Sequence, residues 1–521
     1  MPAAAGSAQN EGDAEVSCTN YHGLRINPSN TGNIRGQASF GLSDALRLTI
    51  DPSFQYVLAN GGGFTVVPET DRRLIGASGT PGVDLNGDGD TLDSIALYTP
   101  NTTNTHRYSV NSSLIWYLDD DSLLRFGYTF DRARHRQTGQ WGWLDEHGNP
   151  ENVFAGRDGR PVLTADGAEL RGRDRLSIAL LNQVSLAYSS RALDGRLRYD
   201  IGLRAPFFER ELNQYCHTSI TGGQYCTTQP ASAPDANGLV TFEGVNGSFL
   251  PPYGGTRKYD DFLPSVGISF EPWRDGHLFY ASYAAGLSAP RTDNLYNVQI
   301  LDVEPETTDS FDFGWRYNGP RITSSTALWY SRFDNRIVSS FDPDLGLSVD
   351  RNVGRVDLWG IDAEVGVRAT DHLSLYGSAS YNNSEVKNDI PFNSTVFVPT
   401  AGKELVETPE WTLAARAQYV FGGLQIGLQG KYVGERWATD VNDESAPSFT
   451  VLDADLRYAF DAFGLKQTYV QLNVTNLLDR QYLGSIATSR FSADRTQPYG
   501  NVPFYSVGAP RTYQLTVGLS F

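Results

Sequence analysis

The sequence has no long hydrophobic run. Nowhere in its 521 residues do 18 or more apolar residues follow one another, which is the length that a membrane-spanning helix needs. Methionine occurs once, whereas glycine, tyrosine and phenylalanine occur 52, 27 and 26 times. Strand and turn formers dominate and a helix-favouring composition is absent, so the sequence predicts an all-β chain.

Positive charge is also scarce. The 42 basic residues are outnumbered by 60 acidic residues, giving a net charge of −18, which argues against nucleic-acid binding through a general basic surface. The amino-terminal segment lacks the basic start and apolar core of a secretory signal peptide, which taken literally indicates the cytoplasm. The rest of the chain argues otherwise, so we expect Met1 to be an internal start, or the start of a split or truncated gene product.

Cysteine is limited to three residues. Cys216 and Cys226 lie ten residues apart in the glycine-containing segment QYCHTSITGGQYC, and this spacing predicts a local disulfide in an oxidising compartment. Zinc is the alternative because His217 adjoins Cys216, although no second Cys/His pair completes four ligands. Cys18 has no evident partner.

Alternation of apolar and polar residues runs through most of the chain. In the segment FDFGWRY, one face carries Phe311, Phe313 and Trp315, and the opposite face carries Asp312 and Arg316. The same period of two is found in LLRFGYTF, IDAEVGVR, WTLAARAQYVF and YVQLNVTN. This period is typical of β-strands with two unlike faces.

A soluble β-sandwich and a transmembrane barrel both show this alternation, and three features favour the barrel. The segments are about 10 to 14 residues long, which suits a tilted bilayer crossing. Aromatic residues stand at the ends of the apolar faces, as an interfacial girdle requires. The other faces hold charged residues, which would be costly in a sandwich core but suit a water-filled interior. We therefore predict a transmembrane antiparallel β-barrel.

Short and long links alternate between the predicted strands. Short links fall near 43–45, 119–122, 191–195, 273–276, 318–320, 369–372, 422–423 and 461–466. Long links fall at about 58–105, 133–175, 206–257, 287–306, 334–354, 386–408, 438–449 and 477–510. This is the pattern of periplasmic turns and extracellular loops. It predicts about 17 strands within residues 34–521, with residues 1–33 as the remnant of another long loop.

Three segments resemble the TonB-dependent outer-membrane receptors. The segments YASYAAGLSAPRTDNLY (280–296) and VEPETTDSFDFGWRY (303–317) are similar to two barrel signatures of that family. Near the carboxyl terminus, the family signature N-x-x-N-L-x-D-x-x-Y…G-x-P-R is matched by Asn473, Asn476, Leu477, Asp479, Tyr482, Pro510 and Arg511. The resemblance implies the last 17 strands of a 22-stranded barrel that imports a scarce nutrient, such as an iron–siderophore complex, across the outer membrane of a Gram-negative bacterium.

The same resemblance implies the partners: outer-membrane lipid, a small nutrient ligand, the barrel assembly machinery, and the TonB complex. TonB would act through a plug and a TonB box, and no stretch of this chain resembles either. A terminal aromatic strand resembles the signal that the assembly machinery reads. Its outward stripe would consist of Tyr513, Leu515, Val517, Leu519 and Phe521.

One loop resembles a calcium-binding sequence. In VDLNGDGDTLD, oxygen-bearing side chains alternate with glycines, as in the loop D-x-[DN]-x-[DN]-G, although Ile95 stands where the bidentate glutamate is expected. The alternative is a solvated acidic loop. The predicted ligands of a structural Ca²⁺ are Asp84, Asn86, Asp88, Asp90 and Asp93. No other cofactor is required.

Arginine and aromatic residues cluster just beyond one predicted strand, in DRARHRQTGQWGW. Such residues at a barrel mouth would suit an anionic or aromatic ligand, through bidentate hydrogen bonds and stacking. The alternative is an ordinary barrel lining with interfacial tryptophans. The candidate ligand-binding residues are Arg132, Arg134, His135, Arg136, Trp141 and Trp143, with Arg210 and Tyr215 from the next long loop.

Enzymatic motifs are absent: the sequence contains no H-E-x-x-H and no G-x-S-x-G, and its seven histidines are scattered. Two functions remain, a TonB-dependent receptor and a passive channel of 16 to 18 strands. The two functions predict different closures of the sheet into a barrel. A truncated receptor should leave a gap or a parallel seam between residues 33–43 and 511–521, because both segments run in the same direction, whereas a complete channel should close there by antiparallel pairing.

Overall fold

In the computed structural model, the described residues are 26–219, 223–296, 303–342, 347–393, 395–462, 465–488 and 490–519. These residues are almost entirely strands and loops. Two one-turn helices, α1 (Arg72–Ile75) and α2 (Thr292–Leu295), and a 3₁₀ turn at Ala155–Arg157 are the helical elements of this part of the chain. None of these helices has the length and hydrophobicity that crossing a bilayer requires.

The strands fall into long members of one large sheet and short hairpins in the loops. In the first half of the chain they are β1 (Ser29–Arg35), β2 (Ala38–Ser43), β3 (Leu46–Gly61), β4 (Phe64–Pro68), β5 (Ser94–Tyr98), β6 (Asn101–Tyr117), β7 (Ser122–Gln140), β8 (Arg171–Ala192), β9 (Leu197–Gln214), β10 (His217–Ser219), β11 (Gln224–Tyr225), β12 (Phe249–Leu250), β13 (Tyr253–Asp260), β14 (Leu263–Phe270) and β15 (His277–Ser288). In the second half they are β16 (Glu306–Asn318), β17 (Ile322–Asp334), β18 (Ile337–Asp342), β19 (Leu347–Asn352), β20 (Val356–Arg368), β21 (Leu373–Val386), β22 (Ile390–Pro391), β23 (Phe397–Val398), β24 (Trp411–Phe421), β25 (Leu424–Val433), β26 (Arg436–Trp437), β27 (Ser445–Ala446), β28 (Phe449–Ala462), β29 (Leu465–Thr475), β30 (Leu483–Thr488), β31 (Phe504–Val507) and β32 (Thr512–Gly518).

Nineteen of these segments form one continuous antiparallel sheet, in which neighbours along the chain are neighbours in the sheet. Two strands are interrupted, because β1 and β2 both pair with β3, and β13 and β14 both pair with β9. The sheet therefore has 17 strands, and the predicted all-β antiparallel architecture and strand count are confirmed.

The predicted alternation of short and long links is also found, but several strands are longer than expected. β7, β8 and β9 have 19, 22 and 18 residues. They exceed the predicted 10 to 14 residues because the ladder continues past the apolar belt into segments that the sequence assigned to loops. The first strand likewise begins at Ser29, not near residue 33.

The short links are tight hairpins. Phe421 pairs with Leu424, so that Gly422 and Gly423 alone make the turn between β24 and β25. Gly422 has a φ of +56°, a conformation that the right-handed twist of the paired strands favours in a two-residue turn and that glycine adopts without steric cost.

The two ends of the sheet do not pair with each other among the described residues. β1 and β2 pair with β3, and β32 pairs with β29, with no ladder between these two edges. Within residues 26–519 and their described ranges, the arrangement is therefore the predicted gap. The antiparallel closure that the passive channel requires is not found within the described residues.

The buried hydrophobic residues lie mainly in the long loops, not within the sheet. The first loop core joins the two loops that follow β3 and β7: Val67, Leu74, Ile95, Leu97, Trp141, Val162 and Leu170. A second gathers Val240, Phe242 and Phe249, and a third gathers Val353, Ile390 and Val398. The loops are thus small packed units with their own cores.

Candidate functional site

The two faces of the sheet differ in chemistry, as the alternation predicts. The outer face carries exposed apolar side chains such as Phe126, Leu186 and Phe313. The inner face carries polar side chains that pair across strands, including Arg107 with Asp131 at 2.7 Å and Arg416 with Asp455 at 2.7 Å. An apolar outer face and a charged inner face are typical of a membrane barrel with a hydrated interior.

A cleft of about 760 Å³ lies on the inner face near the first strands. Arg35, Asp51, Arg107 and Asp131 line it together with neutral polar residues such as Gln55. Charged and neutral polar side chains contribute much of its lining, which suits a hydrated interior.

Three arginines form an inner basic cluster at the loop end of β8, β9 and β13: Arg175, Arg210 and Arg257. The ladder places Arg210 directly opposite Arg257, and Arg175 is almost fully buried on the same face. The Arg175 Nε atom donates a hydrogen bond to Gln137 at 2.5 Å. The guanidinium of Arg210 lies 5.2 Å from the Phe208 ring centroid. Three arginines thus lie on one wall of the interior, near its loop end.

The segment after β15 folds inward over this cluster. The carbonyl of Pro290 accepts a hydrogen bond from Arg210 Nη1. The ring of Tyr296 lies 4.6 Å from the Arg175 guanidinium, and Tyr296 and Leu295 pack on Leu212. Cationic and aromatic groups therefore meet on the inner face, where they could bind an anionic or aromatic ligand.

Of the predicted ligand-binding residues, Arg210 and His135 lie on the inner face. His135 shares the inner face with Arg125 and Asp131, and its Nδ1 lies 2.7 Å from the Thr105 hydroxyl. Tyr215 is exposed after the end of β9, with its ring 5.1 Å from the guanidinium of Arg136. Arg136 is also held by an ion pair with Asp174.

The expectation that Arg132 and Arg134 converge on the barrel mouth is wrong. Both lie within β7, where alternation places them on the outer face with Phe126 and Tyr128. The sequence prediction ended this strand too early. It treated Arg132 and Arg134 as loop residues with free orientation, whereas a strand fixes the face on which each side chain lies.

Trp141 and Trp143, which the sequence assigned to ligand binding, pack within a loop core of the protein. Trp141 is 4% exposed within the first loop core and lies 4.8 Å from the Arg73 guanidinium. Trp143 packs against the same core and lies 4.3 Å from Arg160. Both rings contact other residues of the protein. They contribute buried apolar surface, which a separate loop core needs for its stability.

The structure joins Cys216 and Cys226 by a disulfide, with their Cα atoms 4.6 Å apart. This bond commits both sulfurs, which removes the thiolates that the zinc alternative requires. The ring of His217 instead meets Phe242 edge-on at 4.9 Å, and burial lowers the pKa of His217. Cys18 lies outside the described residues.

The acidic loop holds a cluster of carboxylates that the sequence identified in part. One ligand atom from each of Glu69, Asp90 and Asp93 lies within 4.8 Å of the others. Asn86 Nδ2 donates to Asp93 Oδ2 at 2.6 Å, and the Oδ2 atom of Asp88 is buried without a hydrogen-bond partner.

Asp84 forms hydrogen bonds within its own loop. Its two carboxylate oxygens accept the backbone N–H groups of Gly87 and Gly89 at 2.6 and 2.9 Å, so it caps the turn. The sequence missed Glu69, which comes from the end of β4 and not from the loop, so no local spacing reveals it.

Comparison with known proteins gives the family. The profile described as "TonB dependent receptor-like, beta-barrel" matches residues 6–477. The ferrioxamine receptor of Yersinia enterocolitica is 25% identical over 439 residues, which cover 76% of this chain and 56% of that receptor. The chain therefore spans little more than half of that relative's length.

Solved structures share the fold. The ferric citrate transporter FecA, in its unliganded form, matches with a TM-score of 0.63 at 16% identity, over 95% of this chain and 62% of that one. The siderophore receptor PiuA from Acinetobacter baumannii matches with a TM-score of 0.63 at 16% identity, over 94% and 64%. The family comprises receptors and transporters, not enzymes. The profile match covers most of the chain, and the 17-stranded sheet has a polar inner face, so the chain belongs to the TonB-dependent receptors and matches their β-barrel.

Proposed function

We propose that this chain forms the outer-membrane barrel of a receptor that takes up an iron–siderophore complex. The inner basic cluster carries the proposal. Arg210 and Arg257 face the interior beside aromatic rings at the loop end, where a ligand arriving from outside would first be held. Guanidinium groups bind anionic donor groups by bidentate hydrogen bonds, and rings stack on aromatic ones. The relative named ferrioxamine receptor supports iron complexes as the ligand class.

The proposal places the barrel in the outer membrane of a Gram-negative bacterium. The outer face supports this placement, including Tyr513, Leu515, Val517 and Leu519, which form a stripe on β32 and just after it with more than half of each side chain exposed. We infer that this stripe contacts lipid and is read by the barrel assembly machinery. Phe521, the last residue of the predicted signal, lies outside the described residues.

TonB would supply the energy for transport. In this proposal its action reaches the barrel through a plug, which is not among the described residues. The described part of the chain would contribute the channel wall, the extracellular loops and the first ligand contacts.

We also propose that the acidic loop binds Ca²⁺ in a structural role. The cluster of Glu69, Asp90 and Asp93 offers three hard oxygen ligands, with Asn86 and Asp88 close by in the loop. Ca²⁺ takes six to eight oxygens, so backbone carbonyls and water would complete the shell. A bound cation would remove the repulsion among three carboxylates at one point.

Ligand binding tests the receptor proposal directly. The purified chain would be titrated with ferric hydroxamate and ferric catecholate siderophores, with tryptophan fluorescence as the readout. Arg210→Gln should weaken binding of the preferred complex about tenfold, because a charge-assisted hydrogen bond contributes roughly 1.5–3 kcal/mol. Arg204→Gln is the matched control, since Arg204 lies on the same strand and face, six residues nearer the short turns.

The control should bind like the wild type. If neither class of ferric complex binds to the wild-type chain, or if both variants bind as tightly as the wild type, the inner basic cluster is not the ligand site. If the chain binds a copper or cobalt complex instead of an iron complex, the proposed receptor function stands and the proposed ligand class changes.

A further inference from the structure

A second cleft, of about 430 Å³, opens between the loop that follows β7 and the loop that follows β9. Its volume falls within the usual range for small-molecule sites, about 300–1,000 Å³. Glu169 and Arg171 contribute to its lining from the first loop and the start of β8, and Tyr215 and the Cys216–Cys226 disulfide contribute from the second. The arginines of the inner basic cluster do not line this cleft.

The cleft lies on the opposite side of β8 from the inner basic cluster. Asp174, which lines the cleft, and Arg175, of the inner basic cluster, are consecutive residues of β8, and consecutive strand residues face opposite sides. Tyr215 likewise follows Gln214, which pairs with Arg175. The Tyr215 N–H donates to the Asp174 carbonyl at 2.9 Å, so the two loops meet at this point. A ligand could therefore occupy the cleft without entering the barrel interior.

The charged side chains at this cleft pair with one another. Arg171 Nη2 lies 2.8 Å from Glu169 Oε2, and Arg171 Nη1 forms a second ion pair with Asp174. Asp174 also pairs with Arg136 of β7. Two positive and two negative charges thus form one chain of ion pairs with no net charge. A charged ligand would have to displace one of these partners, whereas a neutral ligand with hydrogen-bonding groups leaves them paired.

Polar groups remain available to such a ligand. The side chains of Glu169 and Arg171 are 38% and 29% exposed, so both can also contact a bound molecule. A carboxylate accepts several hydrogen bonds and a guanidinium donates several. The Thr227 hydroxyl lines the same cleft and accepts the Gln229 N–H at 3.0 Å, which leaves its own proton to donate. Hydroxyl groups on a ligand suit this mixture, because they both donate and accept.

An aromatic ring is exposed beside these polar groups. Tyr215 is 50% exposed and lines the cleft, and the Arg136 guanidinium lies 5.1 Å from its ring centroid. An exposed ring next to hydrogen-bonding groups favours a ligand with an apolar face and a polar rim, because the face packs on the ring while the rim meets the polar side chains. A sugar ring has this form, with C–H groups on its face and hydroxyl groups around its rim.

The protein holds the cleft in shape before any ligand arrives. The disulfide closes the segment from Cys216 to Cys226. The Thr228 hydroxyl accepts the Ala77 N–H at 3.2 Å, which ties the same segment to the loop that follows β3. Binding then orders few groups, and this lowers its cost in free energy.

We infer that this cleft binds a neutral hexopyranose unit. The inference is independent of the iron complex proposed for the inner basic cluster, because the two sites share no residue. It gives a role to Tyr215 and Arg136, two of the residues that the sequence assigned to ligand binding. A free sugar and the end of a glycan chain present the same chemistry to the cleft, and their affinities distinguish the two sources.

Isothermal titration calorimetry of the purified full chain, in a detergent without a sugar head group, tests this inference. The probes are the methyl glycosides of glucose, galactose, mannose and N-acetylglucosamine, with glucuronic acid and glucosamine as charged comparators. At least one neutral glycoside should bind more tightly than both charged sugars. Tyr215→Ala should weaken that binding about tenfold, because it removes the ring. Tyr215→Phe should stay within about threefold of the wild type, because it keeps the ring.

Phe397→Ala is the matched control, since Phe397 is also an exposed ring, 56% accessible, in another long loop. It should bind the glycoside as the wild type does. The inference is overturned if no neutral glycoside binds, if a charged sugar binds more tightly, or if Tyr215→Ala binds like the wild type. An affinity for the matching trisaccharide above that for the glycoside would identify a glycan chain as the source, and equal affinities would identify a single sugar; both results support the sugar class.

Hydrogen exchange over residues 223–252 checks that the loop stays folded, and its protection in Tyr215→Ala should match the wild type. If that variant loosens the loop, Glu169→Ala is the second test, since Glu169 belongs to the other loop. It should weaken glycoside binding about tenfold, because a charge-assisted hydrogen bond to the sugar is lost. Unchanged binding in Glu169→Ala would then overturn the inference.

Discussion

Glu69 accepts a hydrogen bond from the backbone N–H of Asp93 at 3.2 Å, across 24 residues of sequence. Its other carboxylate oxygen accepts the N–H of Leu85 at 2.6 Å. Glu69 is fully buried and thus holds both ends of the acidic loop. The third carboxylate of the cluster with Asp90 and Asp93 therefore comes from the end of a neighbouring strand.

Glu69→Gln should lower the affinity for Ca²⁺ at least tenfold, because it removes one of three clustered carboxylates and leaves the side-chain size unchanged. Isothermal titration calorimetry measures the affinity. Glu146→Gln is the control, since its side chain is 88% exposed in another loop. If titration of the wild-type chain with Ca²⁺ gives no heat of binding, the proposed calcium site is wrong.

Trp141→Ala should destabilise the first loop core by about 3–5 kcal/mol, because a large buried side chain is replaced by a cavity. Faster proteolysis of residues 141–170 in the folded protein would report this loss. Leu163→Ala, at a position 47% exposed next to the same core, should change little. If Trp141 instead contacts the ligand, its substitution would weaken binding without loosening the loop.

Cys216→Ser/Cys226→Ser should destabilise the loop that follows β9. Opening an 11-residue ring costs about 2.5–3 kcal/mol in the chain-entropy model. Hydrogen exchange over residues 223–252 should accelerate in the variant and in the reduced wild type. Cys18→Ser is the control, and an equal acceleration in that variant would contradict the assignment.

Lowering the pH should loosen the same loop through His217. Burial lowers the pKa of His217 below its ordinary value of 6.5, so the folded loop favours the neutral imidazole. The free energy of unfolding of this loop is therefore at its full value above about pH 6.5, and it declines as the pH falls below that value. Hydrogen exchange of residues 223–252, corrected for intrinsic rates, should accelerate between pH 7.5 and 5.

His217→Gln should flatten this pH dependence, because glutamine does not titrate. Equal protection of the wild-type loop at both pH values would show that another group governs the loop.

The antiparallel sheet with an apolar outer face and a polar inner face was predictable because it depends on local alternation. Phe311, Phe313 and Trp315 face outward simply because they are two residues apart, and no distant contact can reverse that arrangement. Strand length was less predictable. The ladder of β7 continues through Arg132 and Arg134, where apolar residues end but backbone pairing with β6 and β8 does not.

The site was predictable only where its residues are close in sequence. The cystine and the acidic loop are local features. Glu69 and Tyr296 reach their partners through the fold, and the burial of Trp141 depends on a core assembled from two loops. A linear pattern of tryptophan and arginine does not distinguish a loop core from a ligand site.

The directions of the two edge strands determine whether an odd or an even number of further strands could close the sheet. Every pairing in the sheet is antiparallel, so the first and the seventeenth strands point in the same direction. An antiparallel seam between them therefore needs an odd number of inserted strands. Two copies of this chain with the same orientation in a membrane would meet edge to edge with parallel strands, so the sheet itself disfavours head-to-tail polymerisation.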